Sequence, residues 1–402
     1  MICEKKTMKM KTLFLLGFVI LGICFDQGSC HVVEVKSAEE LIDLFKNAQG
    51  TVKDDINVTD DLYFYGSGLT LPLGASSDGT CIPFGGMFQG NGHSIKSLKM
   101  NNTNKKRYMD AGLFCNLKNA TIENVVIDSS CSFTGYSAGA LSVSVTGSLT
   151  VKHITSNAFV SGTSGIGGFI GYVGDLKKPP ESSLYLEDME QPTVVYDDVD
   201  DLDNFVVSFD DCVSNAVVNK GSGVGGFIGY IGSTMVVITI SNSINNGVVT
   251  WSEGVGGFVG VIEDNTNTAV TITNSSNNGS ITGSWLGVGG FVGYIYDNYH
   301  MAITISNSTN NGNVTGSQSV GSFVGRVLYN NYMAVTISNS TNNGNVTGHD
   351  SGAGGFVGFI CDNSNMTISN SLNNGNVNGN KNNVGGFVGF ICDNSNMTIS
   401  NS

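Results

Sequence analysis

A five-residue motif, GGF(V/I)G, returns about every 32 residues from residue 167 onward and leaves few folds open to this 402-residue chain. One copy is altered, at Gly321-Ser322-Phe323, and the first interval is longer than the others. A fixed period of this length is typical of solenoids and propellers, in which each repeat buries its apolar face against its neighbours. The motif phenylalanines are Phe169, Phe227, Phe258, Phe291, Phe323, Phe356 and Phe387.

The pattern inside each repeat indicates strands. In the segment 269–274 (AVTITN), apolar and hydroxyl residues alternate with a period of two, which marks a half-buried strand. Three strands of about five residues per repeat make one coil of a parallel β-helix, whereas a propeller blade needs about 40 residues and four strands. The aliphatic residue four positions after each motif phenylalanine is predicted to point inward, and the residue before it outward. The inward set is Ile231, Ile262, Ile295, Val327, Ile360 and Ile391, and the outward set is Tyr230, Val261, Tyr294, Arg326 and Phe359.

Asparagine-glycine pairs supply the positive φ that sharp corners between strands need. Stacked coils place equivalent residues above one another, so we expect ladders of Phe, Val and Ile in the core and of Asn at the corners. The primary role predicted for these asparagines is structural, and the alternative is that they form a recognition surface. The pairs begin at Asn246, Asn278, Asn311, Asn343 and Asn374.

Upstream of the repeats, the sequence has the pattern of a cap followed by irregular coils. The segment 37–40 (SAEE) is a capping box and predicts a short amphipathic helix that is closed by Gly50. Such a helix plugs the open end of a solenoid core. The predicted organisation is a signal peptide at 1–30, an N-terminal cap at 31–65, irregular coils at 66–172, an acidic insertion at 173–211 and regular repeats at 212–402.

Two parts of the chain resemble known families. The segment 84–95 (FGGMFQGNGHSI), followed by 111–114 and 119–127, resembles the N-terminal coils of pectin-lyase-like right-handed β-helix proteins. The GGFVG…NNGNVTG units resemble the GLUG-type repeats of bacterial and protist surface proteins and adhesins. These resemblances imply an all-β, right-handed parallel β-helix, a fold that carries both adhesins and enzymes.

The first thirty residues predict secretion. Lysines at positions 5, 6, 9 and 11 precede the apolar run LFLLGFVILGICF at 13–25, which is the pattern of a secretory signal peptide and is short for a membrane span. An uncleaved membrane anchor is the alternative. We therefore predict a secreted, extracellular or cell-surface protein without a transmembrane span after signal removal.

The negative charge of the chain argues against nucleic acid as a partner and is concentrated in one segment. The formal net charge is -14 and the pI is about 4.6, which argues against binding of nucleic acid through its phosphates. Much of this charge lies between Asp175 and Asp211, where Asp198 and Asp201 are candidate calcium ligands. A solvated loop without a ligand is the alternative.

The sequence shows no catalytic constellation. Four aspartates recur at one turn of the repeat, with Asn330 in place of another, and a stacked acid column can hold calcium. A plain polar turn is the alternative. A lyase needs a base or an arginine beside such acids, and Arg326 is the only Lys or Arg between Lys220 and Lys381. The four aspartates are Asp264, Asp297, Asp362 and Asp393.

Cys361 and Cys392 occupy the same position in consecutive repeats. Because coils stack about 4.8 Å apart, their Cα atoms fall within the range that a disulfide allows. Either a disulfide or two stacked free thiols fits this register, and alkylation without reduction distinguishes them. No zinc site is predicted, since the sequence has neither a CxxC pair nor a Cys/His cluster at metal-ligand spacing.

Eleven N-x-S/T sequons make the chain a candidate glycoprotein. Several of these asparagines share a repeat position, and two glycans about 5 Å apart would clash, so we do not expect full occupancy. The sequons begin at Asn57, Asn101, Asn119, Asn274, Asn278, Asn307, Asn313, Asn339, Asn345, Asn365 and Asn396.

Together these features predict a secreted or cell-surface binding or adhesion protein. It would present polar ladders, including outward hydroxyl residues such as Thr271 and Thr304, and the acidic loop to a glycan or protein partner. A polysaccharide-active β-helix enzyme, a lyase or a glycosidase, is the alternative. End-to-end self-association is also predicted, because an uncapped coil presents unpaired strand edges.

Overall fold

The computed structural model describes residues 31–102, 110–174, 205–361, 364–392 and 396–402. The predicted signal peptide and most of the predicted acidic insertion, with Asp198 and Asp201, lie outside the described residues. Asp362 and Asp393 lie outside them as well.

In the described residues the strands form four sheets that run along one rod. Sheet 1 has twelve strands: Val32–Val35, Asp55–Val58, Met87–Gln89, Ala120–Glu123, Leu149–Lys152, Phe205–Asp210, Val236–Ser241, Ala269–Thr273, Ala302–Ser306, Met333–Ser338, Ser364–Ser369 and Asn396–Ser400. Sheet 2 has ten: Leu62–Tyr63, Ser94–Lys96, Val126–Ile127, Thr155–Ser156, Val213–Ser214, Ile244–Asn245, Ser276–Asn277, Thr309–Asn310, Thr341–Asn342 and Leu372–Asn373.

The other two sheets complete the cross-section. Sheet 3 has fifteen strands: Lys99–Asn101, Ser132–Gly135, Ala138–Gly139, Phe159–Gly162, Ser164–Gly167, Val217–Asn219, Ser222–Gly225, Val249–Trp251, Val255–Gly256, Ile281–Gly283, Leu286–Gly289, Val314–Gly321, Val346–Gly354, Val377–Gly379 and Asn382–Gly385. Sheet 4 has nine: Phe114–Leu117, Ser142–Val145, Ile170–Gly174, Ile228–Gly232, Val259–Glu263, Val292–Tyr296, Val324–Leu328, Val357–Ile360 and Val388–Ile391.

One regular coil passes through sheet 1, then sheet 2, then twice through sheet 3, then sheet 4, and the next coil repeats this path in parallel register. The predicted right-handed parallel β-helix is confirmed. The prediction of three strands per coil was wrong, because the coil is divided into five short segments. The strand of sheet 2 is only two residues long and lies in a stretch that the sequence pattern assigned to the Asn-Gly corner.

A column of stacked phenylalanine rings runs through the core. Ring centroids of neighbouring motif phenylalanines from Phe227 to Phe356 are 4.8–4.9 Å apart, which is the spacing of the coils. These rings are fully buried. Of the six residues predicted to point inward, five are buried, and Ile391 is 44% exposed because the last described coil has a neighbour on one side only.

Two asparagine columns flank each Asn-Gly corner. The predicted, exposed column runs through the first residue of each pair, with Nδ2 to Oδ1 distances of 2.8–2.9 Å between neighbours. A second column, which the pattern did not reveal, is buried one residue earlier, and each of its Nδ2 atoms donates to the Oδ1 of the next coil at 2.8–2.9 Å. Burial makes this column costly to interrupt, since an unpaired amide would have no water to bind. Its fully buried members are Asn245, Asn277, Asn310 and Asn342.

The helix of the described residues, Ala38–Lys46, covers the first end of the core as predicted. Ser37 is its N-cap and accepts a hydrogen bond from Glu40 N at 3.3 Å. The Phe45 ring packs 6.2 Å from the Phe84 ring, so the apolar face of the helix joins the core. The helix ends at Lys46, four residues before Gly50, and its C-cap is Asn47, so the prediction that Gly50 closes it was wrong.

Candidate functional site

The residues predicted to face outward form a column on the outer side of sheet 4, which we call the outer column. They point away from the main core, as predicted, but this direction does not expose them: Tyr230 and Val261 are only 2% and 4% exposed. They pack with Tyr172 and Tyr294 into a second apolar cluster. The column consists of Tyr172, Tyr230, Val261, Tyr294, Arg326, Phe359 and Phe390.

Left-handed glycines at sheet 3 explain this burial: Gly254 directly precedes the strand Val255–Gly256, and Gly287 lies in the strand Leu286–Gly289. Gly254 has φ +59, and a Cβ there would lie 2.2 Å from Val261 Cγ2; Gly287 has φ +69, and its Cβ would lie 3.0 Å from Tyr294 Cβ. Because these glycines lack side chains, the backbone of sheet 3 folds closely over the outer column. A Gly-Val-Gly string does not indicate that its glycine has a positive φ. The alternation of residues along sheet 4 therefore predicted the direction of these side chains but not their burial.

Glu263 is a buried carboxyl at the edge of the outer column. It is 4% exposed, and its Oε2 accepts a hydrogen bond from the Tyr230 hydroxyl. The pKa of Glu263 is raised to about 7, chiefly by burial and to a smaller extent by the charges of Asp264, Asp297 and Glu253, against the lowering effect of the Tyr230 hydrogen bond. Below neutral pH this carboxyl therefore carries a proton.

The Glu263→Gln variant is expected to lose part of the pH dependence of stability. Because the pKa of Glu263 is raised above its ordinary value of 4.5, its stabilising contribution is complete below about pH 4.5 and is lost as the pH rises through about 7. We expect the free energy of unfolding of the wild type to fall by about 2–3 kcal/mol more than that of the variant between pH 5 and pH 8. Urea denaturation at both pH values measures this difference. Asp110, with a pKa raised by burial to about 6, adds the same trend to both proteins, so equal pH dependence in the two would contradict the prediction.

Arg326 is the one charged residue of the outer column. Its guanidinium carbon lies 5.7 Å from the centroid of the Tyr294 ring and 4.8 Å from that of the Phe359 ring, in the coils before and after. Its Nε is buried and has no hydrogen-bond partner, and the ion pairs found among the described residues do not include it. Within the described residues, the guanidinium thus sits in an aromatic slot and has no ion-pair partner.

Exposed aromatic residues cluster on the turn that follows sheet 4, and we call them the turn aromatic cluster. Tyr299, Tyr329 and Tyr332 are 46%, 55% and 68% exposed. The His300 and Tyr332 rings stack with centroids 4.8 Å apart and planes 9° apart, while Tyr299 meets Tyr332 edge-on at 5.6 Å. The cluster, on two consecutive coils, consists of Tyr296, Tyr299, His300, Tyr329 and Tyr332.

Three members of this cluster have a backbone that bulky residues rarely adopt. Their φ angles are +52 at His300, +54 at Tyr329 and +55 at Tyr332. In the preceding coil the equivalent turn uses Asp264 and Asn267, which tolerate this region better. Such conformations cost of the order of 1–3 kcal/mol each and persist where the surrounding structure fixes them.

A third asparagine column fixes this turn. Asn298 and Asn330 are buried, and Asn298 donates from Nδ2 to Asn330 Oδ1 at 2.9 Å and to the Tyr296 carbonyl at 2.8 Å. Asn265 repeats both bonds one coil earlier. The tyrosines are therefore held outward on a rigid frame. The sequence analysis missed this cluster, although the strings DNYH and YNNY, where the previous repeat has DNTN, marked it.

The predicted aspartate column is only partly reproduced. Asp264 and Asp297 follow the paired residues Glu263 and Tyr296 and occupy equivalent turns, but the next coil has Tyr329 at that place. The reading of Asn330 as a replacement for aspartate was wrong, since it lies one residue later in the buried column. No group of three or more His, Cys, Asp or Glu suited to a metal ion occurs in the part of the chain that the structure describes.

The cysteines are arranged by the stacking of coils. Cys361 and Cys392 are placed as a disulfide pair, with Cα atoms 4.9 Å apart, and the oxidised state of this pair stays a prediction. A second pair, Cys81 and Cys115, has Cα atoms 6.0 Å apart and was missed, although its separation of 34 residues is close to one repeat.

The sequon asparagines lie at the surface. Ten of the eleven are exposed, and Asn57 is half-buried. Stacking is tight where predicted: Asn396 Nδ2 donates to Asn365 Oδ1 at 3.1 Å, and Asn345 N donates to Asn313 Oδ1 at 3.0 Å. Glycans on both members of either pair would collide, and glycosylation itself stays a prediction.

A family model described as the GLUG motif matches residues 286–315, which include Tyr294, Tyr296, Tyr299 and His300. The resemblance to GLUG-type repeats is thereby confirmed. Among the described residues, no helix has the length and apolar character that crossing a membrane requires.

Two further likenesses are distant. Halomucin of Haloquadratum walsbyi is 32% identical over 120 residues, which are 30% of this chain, and the chain spans about 1% of the length of that relative. A crystal structure described as that of a candidate immunoglobulin A1 protease from Bacteroides ovatus aligns with 92% of this chain and 84% of its own at 15% identity and a TM-score of 0.44. Neither likeness is close enough to transfer a function.

Proposed function

We propose that this chain is a secreted or cell-surface β-solenoid that binds glycans, with the turn aromatic cluster as its binding site. The observation that carries this proposal is the set of exposed rings on a left-handed backbone, centred on Tyr329 and Tyr332. The polar ladders and the acidic loop predicted from the sequence stay part of this proposal as further binding surfaces.

The chemistry of the cluster fits a sugar. A pyranose ring has an apolar face of C–H groups and a rim of hydroxyls. Tyrosine offers an apolar ring for that face and a hydroxyl for that rim, at a low cost in side-chain entropy. An exposed group of aromatic residues on a rigid frame is also unusual for a surface without a partner. Asp297, which is exposed beside these rings, adds an acceptor for sugar hydroxyls.

A polysaccharide-active enzyme fits the described residues less well. Glu263 has the raised pKa that a general acid needs. It is nevertheless almost fully buried, and the Tyr230 hydroxyl occupies its Oε2. A substrate would have to displace this hydrogen bond before the carboxyl could reach a glycosidic oxygen.

The double variant Tyr299→Ala/Tyr332→Ala is expected to lose glycan binding. Removing two stacking rings should weaken the affinity for the best ligand of a glycan panel by about tenfold or more, because central aromatic contacts carry most of the binding energy of such sites. Isothermal titration calorimetry measures the change, and circular dichroism checks that the exposed substitutions leave the fold intact.

Trp251→Ala is the matched control, since Trp251 is also an exposed aromatic residue, at 44%, but lies on sheet 3. It should bind as the wild type does. Unchanged binding by the double variant, or equal loss in the control, would contradict the assignment of the site. Turnover of a polysaccharide by the wild type would favour the enzyme instead.

A further inference from the structure

We propose that Arg326 binds the carboxylate of an acidic sugar, so that the preferred ligand is a uronate-containing glycan. This inference rests on the proposed glycan binding and specifies its ligand. It assigns a role to the one cationic residue between Lys220 and Lys381, in a chain of net charge -14.

The first argument is that partial burial of the Arg326 guanidinium is energetically unfavourable in the absence of a bound anion. Arg326 is half-buried, its Nε is buried without a hydrogen bond, and its described contacts are the faces of Tyr294 and Phe359. Removing part of a guanidinium from water without an anionic partner is unfavourable. The neighbouring coils place an aromatic residue at this position, so packing alone does not require an arginine.

The second argument is the shape of the slot. Rings on both sides of the guanidinium leave its in-plane N–H groups as the route of approach. A planar carboxylate can enter edge-on and accept two parallel hydrogen bonds, which is the geometry that arginine favours. A uronate carries such a planar carboxylate directly on its pyranose ring, beside the face that stacks on a tyrosine. Arg326 therefore suits a uronate better than a neutral sugar.

The third argument is continuity with the turn aromatic cluster. The Tyr294 ring, which Arg326 covers, lies 5.6 Å from the Tyr296 ring, and that ring lies 5.7 Å from Tyr329. An unbroken aromatic path thus joins Arg326 to the exposed Tyr329, which lies on the same turn as Tyr332. One oligosaccharide can stack on the cluster while a neighbouring uronate reaches Arg326.

Nearby acids do not neutralise the slot. Glu263 lies two coils before Arg326, about 10 Å along the rod, and carries a proton below neutral pH. Asp297 and Asp264 lie on the exposed turn, where salt and water screen their charges.

The test compares two forms of one ligand, a hyaluronan octasaccharide and the same octasaccharide with its carboxyl groups reduced to alcohols. The wild type is expected to bind the acidic form about tenfold or more tightly, the range of one charge-assisted bidentate contact. In Arg326→Phe, which continues the aromatic column, this ratio should fall to about one. Arg326→Lys should keep only part of the preference, because an ammonium lacks the planar fork.

The outcomes separate the two proposals. Equal affinity of the wild type for both forms, or an unchanged ratio in Arg326→Phe, overturns the carboxylate site and leaves glycan binding in place. Tighter binding of a sulfated neutral-backbone octasaccharide than of the acidic form also overturns it. Binding of neither form, together with no binding across the glycan panel, overturns both proposals. Thermal unfolding of Arg326→Phe shows whether the column is intact.

Discussion

The Phe291→Ala variant is expected to lose about 3–5 kcal/mol of unfolding free energy. Phe291 is fully buried in the middle of the phenylalanine column, with ring centroids 4.9 Å from Phe258 and 4.8 Å from Phe323. Removing the ring leaves a cavity that the neighbouring coils cannot fill, because their spacing is fixed by backbone hydrogen bonds on four sides. Urea denaturation followed by circular dichroism measures the loss.

The solenoid architecture predicts a second effect of Phe291→Ala, on the shape of the unfolding transition. Its coils contact only their neighbours, so a cavity in one coil weakens the coupling between the parts on either side of it. We expect the transition to broaden or to split into two steps. Trp251→Ala is the control, since Trp251 is 44% exposed on sheet 3 and its loss should change stability by less than about 0.5 kcal/mol. A loss below 1 kcal/mol in Phe291→Ala would contradict the packing described for the column.

The Gly290→Ala variant should be destabilised by about 3 kcal/mol or more, or should fail to fold. A Cβ at Gly290 would lie 2.0 Å from the carbonyl oxygen of Ser322 in the next coil and 2.6 Å from Asn310 Oδ1. Backbone cannot move aside as a flexible side chain can, so two coils would have to separate and interrupt the buried asparagine column. The yield of soluble protein and the urea midpoint measure the effect.

Gly386 provides the matched control for this prediction. It is the equivalent residue of the last described GGF motif, and a Cβ there would meet nothing within 4 Å. Gly386→Ala should therefore leave stability nearly unchanged. Similar losses in both variants would mean that the glycine acts through backbone freedom and not through the close approach of coils.

The sequence predicted the global fold because one period controls it. The repeat fixes the stacking, and the alternation of apolar residues fixes which side of each strand faces the core, as Ile262 and Ile295 show by being fully buried. The capping box at Ser37 is equally local, since a hydrogen bond from Glu40 N to its side chain defines the helix start. Features that depend on neighbouring residues or on exact repetition could thus be predicted from the sequence.

Features that depend on contacts between strands far apart in the sequence could not be predicted in this way. The burial of Tyr230 and Val261 follows from left-handed glycines in another strand, which no alternation pattern encodes. The buried column through Asn310 differs from the exposed one through Asn311 by a single residue, and both have the same composition. The turn aromatic cluster was missed for a similar reason, because Tyr329 and Tyr332 are ordinary strand residues by type and become a site only through an uncommon backbone.

The register of the buried asparagines also determines how this rod can change in length. Each side chain bonds to the same atom of the coil above, so any coil fits on any other at the level of Asn277, Asn310 and Asn342. Unequal recombination between repeats in the gene would therefore add or remove whole coils and preserve the hydrogen bonds between neighbouring coils. An insertion of another length is compatible with the stack where the residues on either side of it keep their partners, as Gly174 and Val207 do on either side of residues 175–204. The number of coils then sets how far the rod extends, and under the proposed function single turns such as 329–332 determine which ligand it binds, so length and specificity can evolve separately.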